Sequence, residues 1–111
     1  MLYELEYGVD SLSARLVESG ELVRFSYRVL DAEKARILND KQAEPELYGE
    51  RAHVKLVVPQ LEKVGKLRQS STPVEGKMYW MAFSNKGGYI KPGDHISIVI
   101  GTFRASGLVV E

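Results

Sequence analysis

The sequence predicts an all-β fold: a two-layer antiparallel sandwich of about seven strands with one short helical turn, formed by residues 1–111 as a single domain. Three observations predict it. Several short segments alternate apolar and polar residues, the period of two that lays one row of side chains on a buried sheet face. Turn signals rich in Gly, Pro, Asn and Asp separate these segments. Only residues 31–38 have helical composition, so strands do not alternate with helices as a parallel α/β sheet requires. An open barrel is the alternative arrangement of the same strands.

Residues 1–8 carry little pattern, and Leu2, Leu5 and Tyr7 fit a short first strand or a loose tail. Leu12, Ala14 and Leu16 then alternate with Ser11, Ser13 and Arg15, and Glu18-Ser19-Gly20-Glu21 is a hairpin turn. Val23, Phe25, Tyr27 and Val29 alternate with Arg24, Ser26 and Arg28, the clearest half-buried strand, with both arginines on its solvent face. Asp31 suits a helix start, and the residues after it favour one or two helical turns. Residues 39–49 read as a long acidic loop interrupted by Pro45 and Gly49. A loop of that length is expected to be the most mobile internal segment.

Val54, Leu56 and Val58 form one face of a third strand that Pro59 ends. Leu61, Val64 and Leu67 fit a short helical stripe, yet Gly65 and Ser70-Ser71-Thr72-Pro73 favour an exposed edge connector. Met78 to Ser84 is apolar on both faces, and Asn85-Lys86-Gly87-Gly88 turns it towards Tyr89 and Ile90. In Lys91-Pro92-Gly93-Asp94, proline pre-sets one turn position and glycine supplies positive φ at the next. Ile96, Ile98 and Ile100 follow; a bulge at Gly101 returns Phe103 to the isoleucine face, and Ser106-Gly107 turns the chain into Leu108-Val109-Val110. The apolar rows of 23–29, 54–58 and 96–100 are expected to share one core.

The Pro-Gly-Asp turn feeding a hydrophobic strand, preceded by Phe83-Ser84-Asn85 and a glycine pair, resembles the last strands of the immunoglobulin-like β-sandwich modules of bacterial exported proteins. The resemblance covers the last third of the chain. It implies a binding or assembly module in an extracytoplasmic compartment and carries no catalytic residue. Met1-Leu2-Tyr3-Glu4-Leu5-Glu6-Tyr7 is acidic and lacks the features of a secretion signal, so any leader lies outside this sequence.

Composition narrows the function further. Fifteen basic and fifteen acidic residues cancel, which removes the global field that a nonspecific nucleic-acid binder uses. Residues 1–50 carry eleven acidic and six basic side chains and residues 51–111 four and nine, a difference of −5 and +5 that attraction between interleaved strands accounts for. Cysteine is absent, which excludes disulfides and thiol chemistry. No apolar run approaches the roughly 20 residues of a membrane helix, so no membrane insertion is expected.

No catalytic or cofactor set converges. His53 and His95 have no nucleophile motif beside them. Met78, Met81, His53 and His95 are copper-ligand types, which makes a copper or small-ligand protein the alternative reading. Positions 78 and 81 nevertheless face opposite sides of a regular strand. Glu44, Glu46 and Glu50 read as solvated, and the glycines at 87, 88 and 93 as turn residues. Lys55, Lys63, Lys66, Arg68 and Lys77 form the one basic cluster, read as protection of a sheet edge. The apolar excess of the 78–84 strand remains. It makes Tyr79, Trp80 and Tyr89 the candidate partner-binding residues. The expectation is a non-enzymatic module without cofactor that meets a protein partner, or a second copy of itself, through an edge strand or an apolar sheet face. Residues 59–75 are expected to cover Trp80.

Overall fold

The stretches that alternate most cleanly, 23–29, 54–58 and 96–100, all form strands. A computed structural model describes residues 2–61 and 65–111; Met1, Glu62, Lys63 and Val64 lie outside the described residues, as does the side chain of Leu2. β1 (Val9–Val17) and β2 (Leu22–Val29) form a hairpin across residues 18–21. β3 (Glu46–Gly49) and β4 (Val54–Val57) form a second. β5 (Gln60–Leu61) and β6 (Gly65–Lys66) are two-residue strands of a small third hairpin. β7 (Met78–Ser84), β8 (His95–Ile100) and β9 (Phe103–Val109) complete the chain. Nine strands are thus present among the described residues. β5 and β6 are too short to leave a periodic signal.

Apart from the β5–β6 pair, the strands make two antiparallel sheets, ordered β1-β2-β7 and β4-β3-β8-β9. Their inner faces bury one core. Val23, Phe25, Tyr27 and Val29 of β2 meet Tyr79, Met81 and Phe83 of β7 on one side; Leu47, Leu56, Ile96, Ile98, Ile100 and Phe103 supply the other. Phe25 and Phe103 touch across the layers with ring centroids 6.4 Å apart. Of the ten residues expected to share this core, nine are buried, and Val54 packs half-buried against it.

The sheets are joined at both lateral edges. On one side, Leu16 N–H donates to the Glu111 carbonyl and Glu111 N–H to that of Ala14, each at 2.9 Å, beside a parallel bridge between Ala14 and Val110. On the other, Leu67 N–H donates to the Pro59 carbonyl, while Ala82 N–H donates to the Leu67 carbonyl. The 65–69 segment therefore continues the β7 sheet and ties it to the end of β4.

Four local expectations are corrected. Residues 2–7 form a helix, α1 (Leu2–Tyr7), in place of a strand or tail. Tyr3 and Tyr7, four residues apart on one helix face, both lie against Phe103, at centroid distances of 6.1 and 4.9 Å. Gly8, at φ +63°, ends the helix, and a Cβ there would lie 2.7 Å from the Asp31 carbonyl oxygen, so this position needs glycine for conformation and for space. The predicted acidic loop ends at residue 45, because Leu47 and Gly49 are buried and β3 is an interior strand.

Gly101 lies in a two-residue hairpin turn, with Ile100 paired to Phe103, and Phe103 is on the isoleucine face through strand pairing. Ser106-Gly107 is the bulge: Ile96 pairs with Leu108 and Ile98 with Ala105, leaving Ser97 opposite two residues. Gly107, at φ +71°, supplies the left-handed residue such a bulge requires. The helical interlude is the turn of residues 32–35 followed by α2 (Arg36–Asn39), with the Asp31 carboxylate accepting from the N–H groups of Glu33 and Lys34. No helix among the described residues is long and apolar enough to cross a membrane.

Candidate interaction surface

The alternation that buries Phe25 and Tyr27 turns the other row of β2 outward. On that outer face the register sets Arg15 of β1 directly opposite Arg24 of β2, and Arg24 opposite Ala82 of β7. One step along, Ser26 lies between Ser13 and Trp80; one step further, Arg28 pairs with Met78. The row of polar positions on one strand thus faces the apolar excess of another.

Trp80 is half-buried. Its ring is capped by the Arg24 guanidinium, 4.7 Å from the centroid, where the negative face of the indole attracts a cation. Met78 beside it remains 52% exposed. Residues 65–69 run beside Trp80. They take the edge of β7: Gln69 N–H donates to the Trp80 carbonyl at 3.1 Å, and Trp80 N–H to Gln69 Oε1 at 2.9 Å. Of the residues expected to cover Trp80, 65–69 thus pair with the edge of its strand, and the indole is half-buried beneath the Arg24 cap.

The charges of this face are unbalanced. Arg28 grips Asp10 with two hydrogen bonds of 2.8 and 2.6 Å, which holds the Asp10 carboxyl below its usual range. Arg15 and Arg24 have no ion pair among the described residues, although both are exposed and stand opposite each other. Like charges directly across a strand pair are mutually destabilising.

The three aromatic candidates do not form one site. Tyr79 is 5% exposed, on the inner face of β7, and its hydroxyl accepts from Val74 N–H at 2.8 Å; it has no surface to offer a partner, which corrects its assignment. Tyr89 is 55% exposed on the crossover from β7 to β8, where its carbonyl accepts from Arg51. It makes no ring contact with Trp80. Sequence reading missed Arg15 and Arg24 as members of the surface. Their polar positions were legible, but the pairing of β2 with β7 that sets Arg24 over Trp80 was not.

The copper-type ligands are likewise apart. Met81 is fully buried and Met78 is on the opposite face of β7, while His53 and His95 are exposed. No group of three or more His, Cys, Asp or Glu side chains is arranged to hold a metal among the described residues. The basic cluster is dispersed too: Lys55 bonds Glu46, Lys66 bonds Glu44, and Arg68 turns inward. Comparison with protein families, curated proteins and solved structures finds no match to this chain.

Proposed function

We propose that this chain is a non-enzymatic binding module with an immunoglobulin-like sandwich fold, and that an acidic protein surface docks on the outer face of β1-β2-β7. The observation that carries the reading is the Arg24–Trp80 stack, set beside exposed Met78 and across from an unpaired Arg15. Tryptophan and arginine are the side chains that most often dominate binding energy at protein interfaces. Two uncompensated arginines around an apolar centre call for a partner that brings carboxylates and an apolar side chain together. A second copy is a poorer occupant, since a two-fold axis through this face brings like arginines against each other.

Strand order supports the fold. With β1, β2, β3, β4, β7, β8 and β9 taken as A, B, C, C′, E, F and G, the sheets become A-B-E and C′-C-F-G. Residues 65–69 beside β7 take the place of D. The non-enzymatic part is supported by the histidines, which stand in an exposed turn and at an exposed strand start, without side-chain hydrogen bonds among the described residues.

The test is selection of peptides from a random display library on the immobilised chain, followed by calorimetry on the winners. Acidic peptides with an apolar residue are expected, and Trp80→Ala or Arg24→Glu should each weaken them roughly tenfold or more. Winners that are basic, or that bind both variants as tightly as the parent chain, overturn the reading.

A further inference from the structure

Away from the sheet face, a hollow of about 470 Å³ lies between the segment after α2 and the β5–β6 hairpin. Its described lining is Lys41, Gln42, Gln60, Lys66, Arg68 and Ser70. Every one of these side chains carries a hydrogen-bond donor, three are cationic, and none is a carboxylate. A wall of that composition is complementary to an anion.

The cations are incompletely neutralised by the protein itself. Arg68 donates through Nη1 to the Ala43 carbonyl and through Nη2 to that of Leu38, both at 2.7 Å. These carbonyls orient the guanidinium, the Glu44 and Asp40 carboxylates act on it from outside the hollow's described lining and offset part of its charge, and its buried Nε has no acceptor. Burial lowers the Arg68 pKa, yet an arginine keeps its proton at any physiological pH. The positive charge is therefore fixed in a partly desolvated place, where its field is screened less than at the surface. Among the described residues Lys41 has no ion pair, and Lys66 pairs with Glu44.

A second, wider cleft of about 860 Å³ meets this hollow at Lys41 and Ser70. Three acidic side chains (Glu6, Glu33 and Asp40) balance three basic ones (Lys34, Arg36 and Lys41) along its wall. Ser71 and Thr72 add hydroxyls. The cleft thus mixes polar and apolar groups without a strong charge preference, and the charge selectivity is concentrated in the hollow. Each of the two separately has the size of sites that take small organic ligands.

We propose that the hollow binds the phosphoryl group of a small polar metabolite whose uncharged body extends into the hydroxyl-lined cleft. Lys41, Lys66 and Arg68 supply the charge, Ser70 and the two glutamine amides supply neutral donors, and Glu44 competes with the ligand for Lys66. This site is separate from the protein-docking face.

Calorimetry at fixed ionic strength tests it with three probes: inorganic pyrophosphate, ribose 5-phosphate and ribose. Saturable binding of both phosphorylated probes is expected, with none for ribose. Lys41→Ala is a safe variant because the exposed Lys41 side chain makes no hydrogen bond or ion pair among the described residues; it should weaken both by about tenfold, the value of one charge-assisted hydrogen bond. Glu44→Gln, which frees Lys66, should tighten both. Arg24→Glu on the sheet face should change neither. Absence of saturable heat with both phosphorylated probes, or binding indifferent to Lys41→Ala, overturns the site. Loss through Arg24→Glu overturns its location, and binding of pyrophosphate without ribose 5-phosphate overturns the role of the cleft.

Discussion

Arg51 and Asp94 form a two-pronged ion pair, Nε to Oδ1 at 2.8 Å and Nη2 to Oδ2 at 2.9 Å, that ties the β3–β4 turn to the turn before β8. Asp94 Oδ2 also accepts from Lys91 N–H at 2.8 Å, and Arg51 reaches the Tyr89 carbonyl at 2.7 Å. The arginine bond first, and then the Lys91 N–H bond, draw the Asp94 pKa from 3.8 down to about 2. A carboxylate whose folded pKa is lowered contributes stability above its unfolded pKa and loses it as pH falls through the folded value. Urea unfolding should therefore show a loss of stability between about pH 4 and pH 2 that Arg51→Ala makes smaller. An acid limb unchanged in that variant assigns the loss to other carboxylates.

The Arg24 cap makes a different prediction for the sheet face. Trp80 is half-buried, so Trp80→Ala should cost less than a full core truncation, about 1–2 kcal/mol against the 3–5 kcal/mol of a buried aromatic. Arg24→Ala and the double variant complete a cycle whose coupling should be about 0.5–1 kcal/mol, the scale of an exposed cation–π contact. A coupling near zero means that the two side chains share a surface without supporting each other.

Asn85 is 1% exposed and joins three segments. Its Nδ2 donates to the carbonyls of Gly20 and Ile90, and its Oδ1 accepts from Ile90 N–H, all at 3.0 Å. Asn85→Ala leaves these buried groups without partners and should cost about 2–3 kcal/mol in denaturant unfolding. Asn85→Asp keeps the shape but turns an oxygen towards one or both carbonyls, so at neutral pH it should be at least as damaging. A variant as stable as the parent would show that water replaces the amide.

These cases mark what was legible in the sequence. Strands with four or more alternating positions, such as 23–29 and 96–100, announced themselves because their period is local. The 78–84 strand also stood out, through its apolar excess and the turn signals around it. Asn85 and Asp94 read only as turn residues, since their partners lie up to 65 residues away in the case of Gly20. Tyr79 and Trp80 looked equivalent because both faces of their strand are apolar; only the pairing of sheets decides which face is the core. β3 was hidden for a plainer reason. Four residues that begin with glutamate and end in glycine, just after a proline, carry loop composition whatever their neighbours.

That short strand gives the last prediction. Leu47 is fully buried, and β3 lies between β4 and β8, with residues on both sides in antiparallel register. An interior strand has its amides held by one neighbour or the other, and such amides exchange only through opening of the sheet. Residues 40–44 have no such neighbours in the sheet; the Asp40 carboxylate accepts from Gln42 N–H, and Ala43 N–H donates to the Asp40 carbonyl at 3.0 Å in an isolated turn. Native-state hydrogen exchange should therefore show a sharp boundary near Pro45, with fast exchange before it and protection in β3 of the order seen in β8. Uniformly fast exchange across residues 40–49 would return the whole segment to a mobile loop and remove β3 as the link between β4 and β8. Leu47→Ala provides the energetic counterpart. A leucine buried between two paired strands should cost about 2–5 kcal/mol on truncation, whereas a leucine in a mobile loop would cost almost nothing.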